Sequence, residues 1–103
     1  MKILPVKTAI GEGGKKEVTV LFKGSRRTIV QITLRDEGVL AAHTAKEPIT
    51  IHCITGSGMM FVGTERDSVP LSPSTIVTLD PELLHEIVGT PSVSVILSKF
   101  SEQ

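Results

Sequence analysis

The sequence is poor in the residues that build disulfide scaffolds and aromatic binding surfaces. Its 103 residues contain one cysteine, three phenylalanines and neither tryptophan nor tyrosine. A single cysteine excludes an internal disulfide framework, so the fold must depend on a hydrophobic core, and a reducing cytoplasm is the simplest setting. The lack of Trp and Tyr removes the side chains on which single-stranded nucleic acids usually stack.

An excess of charge and a long apolar run are also missing. Eleven basic residues balance eleven acidic ones, and neither sign forms a long block, unlike the basic surface of a nucleic-acid-binding protein. No stretch approaches the roughly 18 consecutive apolar residues of a membrane span. The N-terminal apolar run is broken at Pro5 and Lys7, which is not typical of a secretory signal. We therefore expect a cytoplasmic protein that binds neither nucleic acid nor membrane.

Short runs rich in β-branched residues are what the sequence has instead. Eight or nine of them, separated by Gly, Pro, Ser or charged turns, follow one another at intervals typical of an all-β sandwich or barrel. They cover residues 17–22, 28–34, 39–44, 49–54, 58–63, 68–71, 75–79, 86–89 and 93–98. Alternation places Val18, Val20 and Phe22 on one face of the first run. The pattern predicts one domain with a jelly roll or a related barrel, because closing or doubling a sheet protects its edges.

Four segments between or beside these runs need separate interpretation. The stretch 80–89, DPELLHEIVG, carries helix boundary signals at Asp80, Pro81 and Gly89, but it lies between two strand-like runs and is short, so a strand or turn is favoured over a helix. The GSG at 56–58 is predicted to be a turn, and the GEGG at 11–14 a flexible connector. Residues 1–16 form an N-terminal extension, and its first ten residues are a candidate edge for pairing in a homodimer.

The stretch GVLAAHTAKEPITIHCITG, residues 38–56, combines Gly38, His43 and Gly56 in an order that resembles the first motif of the cupins, a family of small double-stranded β-helix (jelly-roll) proteins. The gap between Gly38 and His43 is one residue shorter than in the family pattern. The positions of the family's second histidine and its glutamate fall on Ala45 and Ile49, so two ligand positions are apolar. The Pro-Ile-Thr-Ile stretch also resembles small cupins in which such a segment replaces the acidic ligand.

The stretch STIVTLDPELLHEIVG, residues 74–89, is similar in spacing to the second cupin motif. Its key positions are Ser74, Asp80, Glu82, His85 and Gly89, and only the histidine keeps the family's residue type. The two motifs imply a cupin barrel over about residues 18–98. They also imply that His43 and His85, distant in sequence, approach each other inside it.

The resemblance makes His43 and His85 the candidate metal ligands. A neutral imidazole nitrogen suits zinc, iron, nickel or copper, and a divalent metal of this kind is the candidate cofactor. The family site normally has three histidines and a glutamate, so replacements would have to come from Glu47 or His52. Glu47 lies in a loop and can turn inward, whereas alternation with Ile49 directs His52 to the opposite face.

The remaining candidates concern the barrel lumen. Cys53 is adjacent to His52, but the two side chains of a strand point to opposite faces, so a small core residue is favoured over a nucleophile. The residues predicted to line a ligand pocket are Ala45, Ile49, Ile51, Cys53 and Phe61. Such a lumen suits a small, mainly apolar ligand, although side chains alone fill many small barrels.

Three hypotheses about function follow from this interpretation. The first is a cupin-like barrel that binds a small molecule, with a divalent metal as a candidate second ligand. The others are a metal-dependent cupin enzyme with dioxygenase-like or isomerase-like chemistry, and a metal-free structural or sensing module. The first is preferred and the other two stay open as alternatives, because one fold supports many activities.

Overall fold

Seven β-strands, all paired in antiparallel fashion, make up the regular structure: β1 (Lys16–Lys23), β2 (Arg27–Leu34), β3 (Val39–His43), β4 (Ile49–Val62), β5 (Asp67–Leu71), β6 (Ile76–Leu79) and β7 (His85–Phe100). The structure, a computed structural model, describes residues 1–101. Within that range the chain forms no helix, and hence none long and apolar enough to cross a bilayer.

The two longest strands, β4 and β7, pair with each other and connect two halves of the fold. The N-terminal half of β4 and the C-terminal half of β7 join β1, β2 and β6 in the order β1-β2-β7-β4-β6. Their other halves join β3 and β5 in the order β3-β7-β4-β5. This arrangement is a jelly roll, as predicted.

One hydrophobic cluster draws its members from both halves. Its fully or almost fully buried side chains are Ile32, Leu34, Ile49, Ile51, Cys53, Met60, Leu71, Leu79, Ile87, Val93 and Val95. Strand β2 shows how alternation builds it: Ile32 and Leu34 lie opposite Val95 and Val93 and face the core. Non-directional burial of apolar surface is the main force that closes the two halves.

Two pairs of predicted runs each form one continuous strand: 49–54 and all but the last residue of 58–63 lie in β4, and 86–89 and 93–98 lie in β7. The prediction of a turn at 56–58 is therefore wrong. Gly56 lies inside β4, where the pairing with β7 shifts register on both sides of it. It has a φ of +82°, and a Cβ there would lie 2.2 Å from the carbonyl oxygen of Ser92. Only glycine fits such a position, so it bends the strand between the two halves instead of ending it.

Residues 80–84 form a turn, in agreement with the strand or turn interpretation. Glu82 has a φ of +69°, a left-handed conformation that a right-handed helix cannot contain. Its backbone N–H donates a hydrogen bond of 2.7 Å to the carbonyl oxygen of Ala45. Strand β7 then begins at His85, which therefore lies on a sheet.

The N-terminal segment covers the outer face of β2 and β7 without forming a strand. Arg35, 6% exposed, donates hydrogen bonds of 2.8 to 3.2 Å to the carbonyl oxygens of Ile10, Gly11 and Gly14 and lies 2.8 Å from a carboxylate oxygen of Glu17. The GEGG segment, predicted to be a flexible connector, is instead bonded to Arg35.

Strand β1 departs from the predicted alternation at its C-terminal end. The register shifts between Val20, which lies opposite Val30, and Phe22, which lies opposite Ile29. The bulge moves Phe22 to the other face from Val18 and Val20. Val18 and Val20 are 52% and 59% exposed on the edge strand of this half, and the homodimer stays a prediction.

Candidate functional site

His43 and His85 lie directly opposite each other on β3 and β7. Their ring centroids are 4.3 Å apart, and the ring planes are tilted by 58°. The pairing of β3 with β7 shifts register between Leu40, opposite Ile87, and His43. Because Ile87 and His85 share the inner face of β7, this bulge turns His43 inward, where strict alternation from Leu40 would have placed it outside.

Both imidazoles are held in the same way by their own strands. His43 Nδ1 lies 2.9 Å from the carbonyl oxygen of Ala41, and His85 Nδ1 lies 3.0 Å from that of Leu83. A carbonyl oxygen only accepts hydrogen bonds, so Nδ1 must carry the proton in each ring. In the neutral form of each histidine, Nε2 then presents a bare lone pair.

His85 is the buried member of the pair. Its side chain is 1% exposed, and Nε2 is the one buried side-chain nitrogen or oxygen among residues 1–101 that has no hydrogen-bond partner. Burial is the main cause that lowers the pKa of His85 below its ordinary value, and the neighbouring His43 lowers it further, against the hydrogen bond to Leu83. The ring is therefore held neutral, with an unused acceptor beside His43.

A cavity of about 370 Å³ opens on the exposed side of His43. Its walls come from β2, the β3–β4 loop, and the facing ends of β4 and β7. The lining residues are Thr28, Val30, His43, Thr44, Ala45, Lys46, Glu47, Ile49, Leu97 and Lys99. This volume lies near the lower end of the range of about 300 to 1,000 Å³ found for small-molecule sites.

The loop that forms one wall of this cavity is fixed at two points. The carbonyl oxygen of Ala45 accepts a hydrogen bond from Glu82 N–H, and that of Pro48 accepts one of 3.1 Å from Phe100 N–H. Lys46 and Glu47 lie between these points. The wall is thus formed before any ligand arrives, which reduces the entropy lost on binding.

The structure distributes the predicted pocket residues between the cavity and other surroundings. Ala45 and Ile49 line the cavity, whereas Ile51 and Cys53 are completely buried in the core. Burial raises the pKa of the Cys53 thiol, which disfavours the reactive thiolate. Phe61 does not line the cavity: it lies opposite Glu86 on the outer side of β4, with the Arg66 guanidinium 4.5 Å from its ring centroid.

The two auxiliary metal-ligand candidates, Glu47 and His52, lie in different places. Glu47 is half-buried and shares the cavity with His43. His52 lies opposite Ile76 and Ile96, on the other face of β4 from buried Ile51, as alternation predicts.

Cavity residues that the sequence reasoning missed include Thr28, Val30, Lys46, Leu97 and Lys99. A signal for Lys99 was present, since it continues the inward alternation of Val93, Val95 and Leu97 along β7.

A complete metal cage does not fit the residues that the structure describes. Across residues 1–101, no group of three or more His, Cys, Asp or Glu side chains is arranged to hold a metal ion. His43 and His85 offer two nitrogen donors, and apolar residues occupy the positions of the two missing cupin ligands. Metal sites with a resident ion typically have three or four protein ligands.

Comparisons with known proteins bear on the fold. No protein-family model and no curated protein matches the chain, but solved cupin structures are similar to it. A cupin superfamily protein from Desulfitobacterium hafniense has a TM-score of 0.84 at 12% identity, with 98% of this chain and 97% of that one covered. An RmlC-like cupin from Desulfovibrio desulfuricans has a TM-score of 0.84 at 14% identity, with coverages of 97% and 96%.

A third structure names the architecture directly. An RmlC-like cupin from Methanocaldococcus jannaschii, described as having a double-stranded β-helix fold, has a TM-score of 0.78 at 16% identity and covers 97% of this chain and 90% of its own. The likeness confirms the predicted fold. At these identities it carries no information about ligand, metal or activity.

Proposed function

We propose that this small protein with the cupin double-stranded β-helix fold binds a small molecule in the cavity beside His43. The observation that carries the proposal is the buried Nε2 of His85, which has no hydrogen-bond partner among residues 1–101. The ring of His85 packs against that of His43, which lines the cavity, with 4.3 Å between the ring centroids. A buried acceptor without a partner costs about 1 to 3 kcal/mol. Such a group is expected where it serves binding more than stability.

The shape and lining of the cavity also support a small ligand. Val30, Ile49 and Leu97 give it an apolar wall, while His43 and Thr28 provide hydrogen-bonding groups. An apolar site with a few polar groups is the usual composition of a ligand pocket. The ligand would contact His43 first, since His85 lies behind it and outside the cavity lining.

The test is a fragment screen by ¹H–¹⁵N NMR with a variant that fills the cavity. We expect the fragments that bind to shift the amide signals of Thr28, Val30 and Leu97 together, and Ala45→Phe to abolish these shifts because its ring would occupy the cavity. Ala9→Phe adds the same ring to the exposed N-terminal segment and should leave the shifts unchanged. Fragments that shift unrelated surfaces only, or bind Ala45→Phe equally well, would contradict the proposal.

Weak binding of a divalent metal is the second candidate. It is favoured by the matching protonation of the two imidazoles, because metal-ligating histidines commonly donate their other ring N–H to a carbonyl. With two donors, binding should be much weaker than at a full site. We expect Zn²⁺ or Ni²⁺ to shift the ring signals of both histidines and to be lost on dialysis, and His43→Ala and His85→Ala each to abolish the shifts. No change at either ring would exclude this candidate.

A further inference from the structure

Two lysines line the cavity without a carboxylate partner among the described residues. Lys46 lies on the loop between β3 and β4, and Lys99 lies near the end of β7. Ion pairs in the described range 1–101 join Lys7 and Arg35 to Glu17, and Arg66 to Glu86, and none includes a cavity lysine. Their ammonium groups are therefore available to a ligand.

Lys99 is placed by the sheet register on the inner face of the barrel. It lies opposite Thr28 on β2 and opposite Ile49 on β4, and Ile49 is a buried core residue. Its neighbour on the same face, Leu97, also lines the cavity. Lys99, itself exposed, thus lies beside the apolar side chains of Ile49 and Leu97 at the cavity.

The cavity has more positive than negative charge, although the chain as a whole is neutral. Its lining includes Lys46, Lys99 and a single carboxylate, Glu47, with His43 as the fourth ionisable group, whereas the chain has equal numbers of basic and acidic residues. A concave, partly apolar surface strengthens the interaction between fixed charges and a ligand. An anion is therefore favoured over a cation of the same size.

We infer that the ligand is a small monocarboxylic acid with an apolar body, its carboxylate bound by Lys99 and Lys46 and its body packed against Val30, Ile49 and Leu97. The inference rests on the proposed function and adds the chemical class of the ligand. It assigns a binding role to the two lysines, which lie outside the motif positions.

The experiment uses pairs of probes that differ in charge and hardly at all in shape: butyrate with butyramide, and benzoate with benzamide. Affinities are measured by ¹H–¹⁵N NMR titration at low ionic strength, where the attraction is least screened. We expect each acid to bind at least about tenfold more tightly than its amide, which corresponds to about 1.4 kcal/mol. Added salt should reduce that ratio.

Two variants test whether the lysines cause the preference. Lys99→Met and Lys46→Met remove the charge and keep an apolar stem of similar length. Each should lower the acid-to-amide ratio and leave amide binding nearly unchanged. Lys23→Met, which removes an exposed lysine from β1, is the matched control and should retain the ratio.

The outcomes separate this inference from the proposed function. Acids and amides that bind equally well, or a preference that survives in both cavity variants, would overturn the assignment of a carboxylate ligand and leave small-molecule binding intact. Failure of every probe and every fragment to bind in the cavity would overturn both.

Discussion

Strand β7 contributes buried polar side chains to two regions, which differ in whether those side chains are fully hydrogen-bonded. On its outer face, Ser94 lies 2.9 Å from both Gln31 Nε2 and Thr33 Oγ1, and Gln31 also bonds both the N–H and the carbonyl oxygen of Lys7. On its inner face, His85 Nε2 has no hydrogen-bond partner within residues 1–101. We call these the outer polar layer (Gln31, Thr33, Ser94 and Arg35) and the histidine corner (His43 and His85).

The contrast teaches how to distinguish a structural polar group from a functional one in this protein. The outer polar layer is completed by the N-terminal segment, so each buried group recovers a hydrogen bond for the water it loses. The histidine corner keeps an acceptor unused while a cavity lies beside it. Among residues 1–101 the fold pairs its other buried side-chain polar groups, and the one it leaves unpaired belongs to His85, whose ring packs against the histidine that lines the cavity.

The largest expected effect comes from breaking the outer polar layer at its centre. Arg35→Met removes a buried guanidinium and leaves the carbonyl oxygens of Ile10, Gly11 and Gly14 without their donor, so we expect the free energy of unfolding to fall by about 3 kcal/mol. Urea denaturation measures it. Arg26→Met, at an exposed arginine, should change stability by less than about 0.5 kcal/mol. Equal effects of the two substitutions would show that the N-terminal cover contributes little.

A smaller effect, of opposite sign in the two regions, is expected when one polar side chain in each becomes leucine. Gln31→Leu should lower the free energy of unfolding by about 2 kcal/mol, because Ser94 and the backbone of Lys7 lose their hydrogen bonds to Gln31. His85→Leu removes the unpartnered nitrogen at the cost of the bond to Leu83, so stability should be unchanged or rise by about 1 kcal/mol. Thermal and urea unfolding compare them. A large loss of stability in His85→Leu would mean that the histidine corner is structural.

The smallest effect is the dependence of stability on pH. The two regions should lose stability in different pH ranges. The folded-state pKa of His85 lies below its ordinary value of 6.5, mainly through burial, so the unfolded chain binds the proton first and stability falls as pH drops below about 6.5. The pKa of Glu17 is lowered by hydrogen bonds from Lys7 and then Arg35. Its contribution is present above about 4.5 and is lost as pH falls through the folded-state pKa.

Single variants test which residue is responsible for the loss of stability in each pH range. His85→Leu should remove the decrease that begins near pH 6.5, and Glu17→Gln should remove the one at more acidic pH. Urea denaturation at a series of pH values provides the curves. If His85→Leu keeps the whole upper decrease, another group is responsible for it.

Much of the fold could be predicted from the sequence, because the alternation of apolar and polar residues indicates which side chains are buried wherever a strand is regular. Strand β2 follows its pattern, with Ile32 and Leu34 toward the core, and His52 lies on the face that alternation with Ile51 requires. The two spaced histidines indicated the cupin barrel. The merging of four predicted runs into β4 and β7 could not be seen, since glycine at a bend and glycine at a turn are alike in sequence.

The candidate site was harder to predict because it depends on irregularities. The bulge that turns His43 inward extends through Ala41 and Ala42, which carry no signal for it. Phe61 was expected in the pocket but faces outward, and Lys46 and Lys99 were not expected there. Each of these depends on which strand pairs with which, and in what register.

The sequence by itself determined the class of structure: short amphipathic strands, a core without disulfides, and two histidines spaced as in a cupin. The cupin-like spacing also implied that these histidines approach each other. Only the tertiary structure decided that a cavity lies beside His43, that among residues 1–101 His85 keeps a buried nitrogen without a partner, and that two lysines with no ion pair in that range line the cavity. The physical reason is that alternation is a property of neighbouring residues, whereas register, bulges and cavities arise from pairing between strands that are distant along the chain.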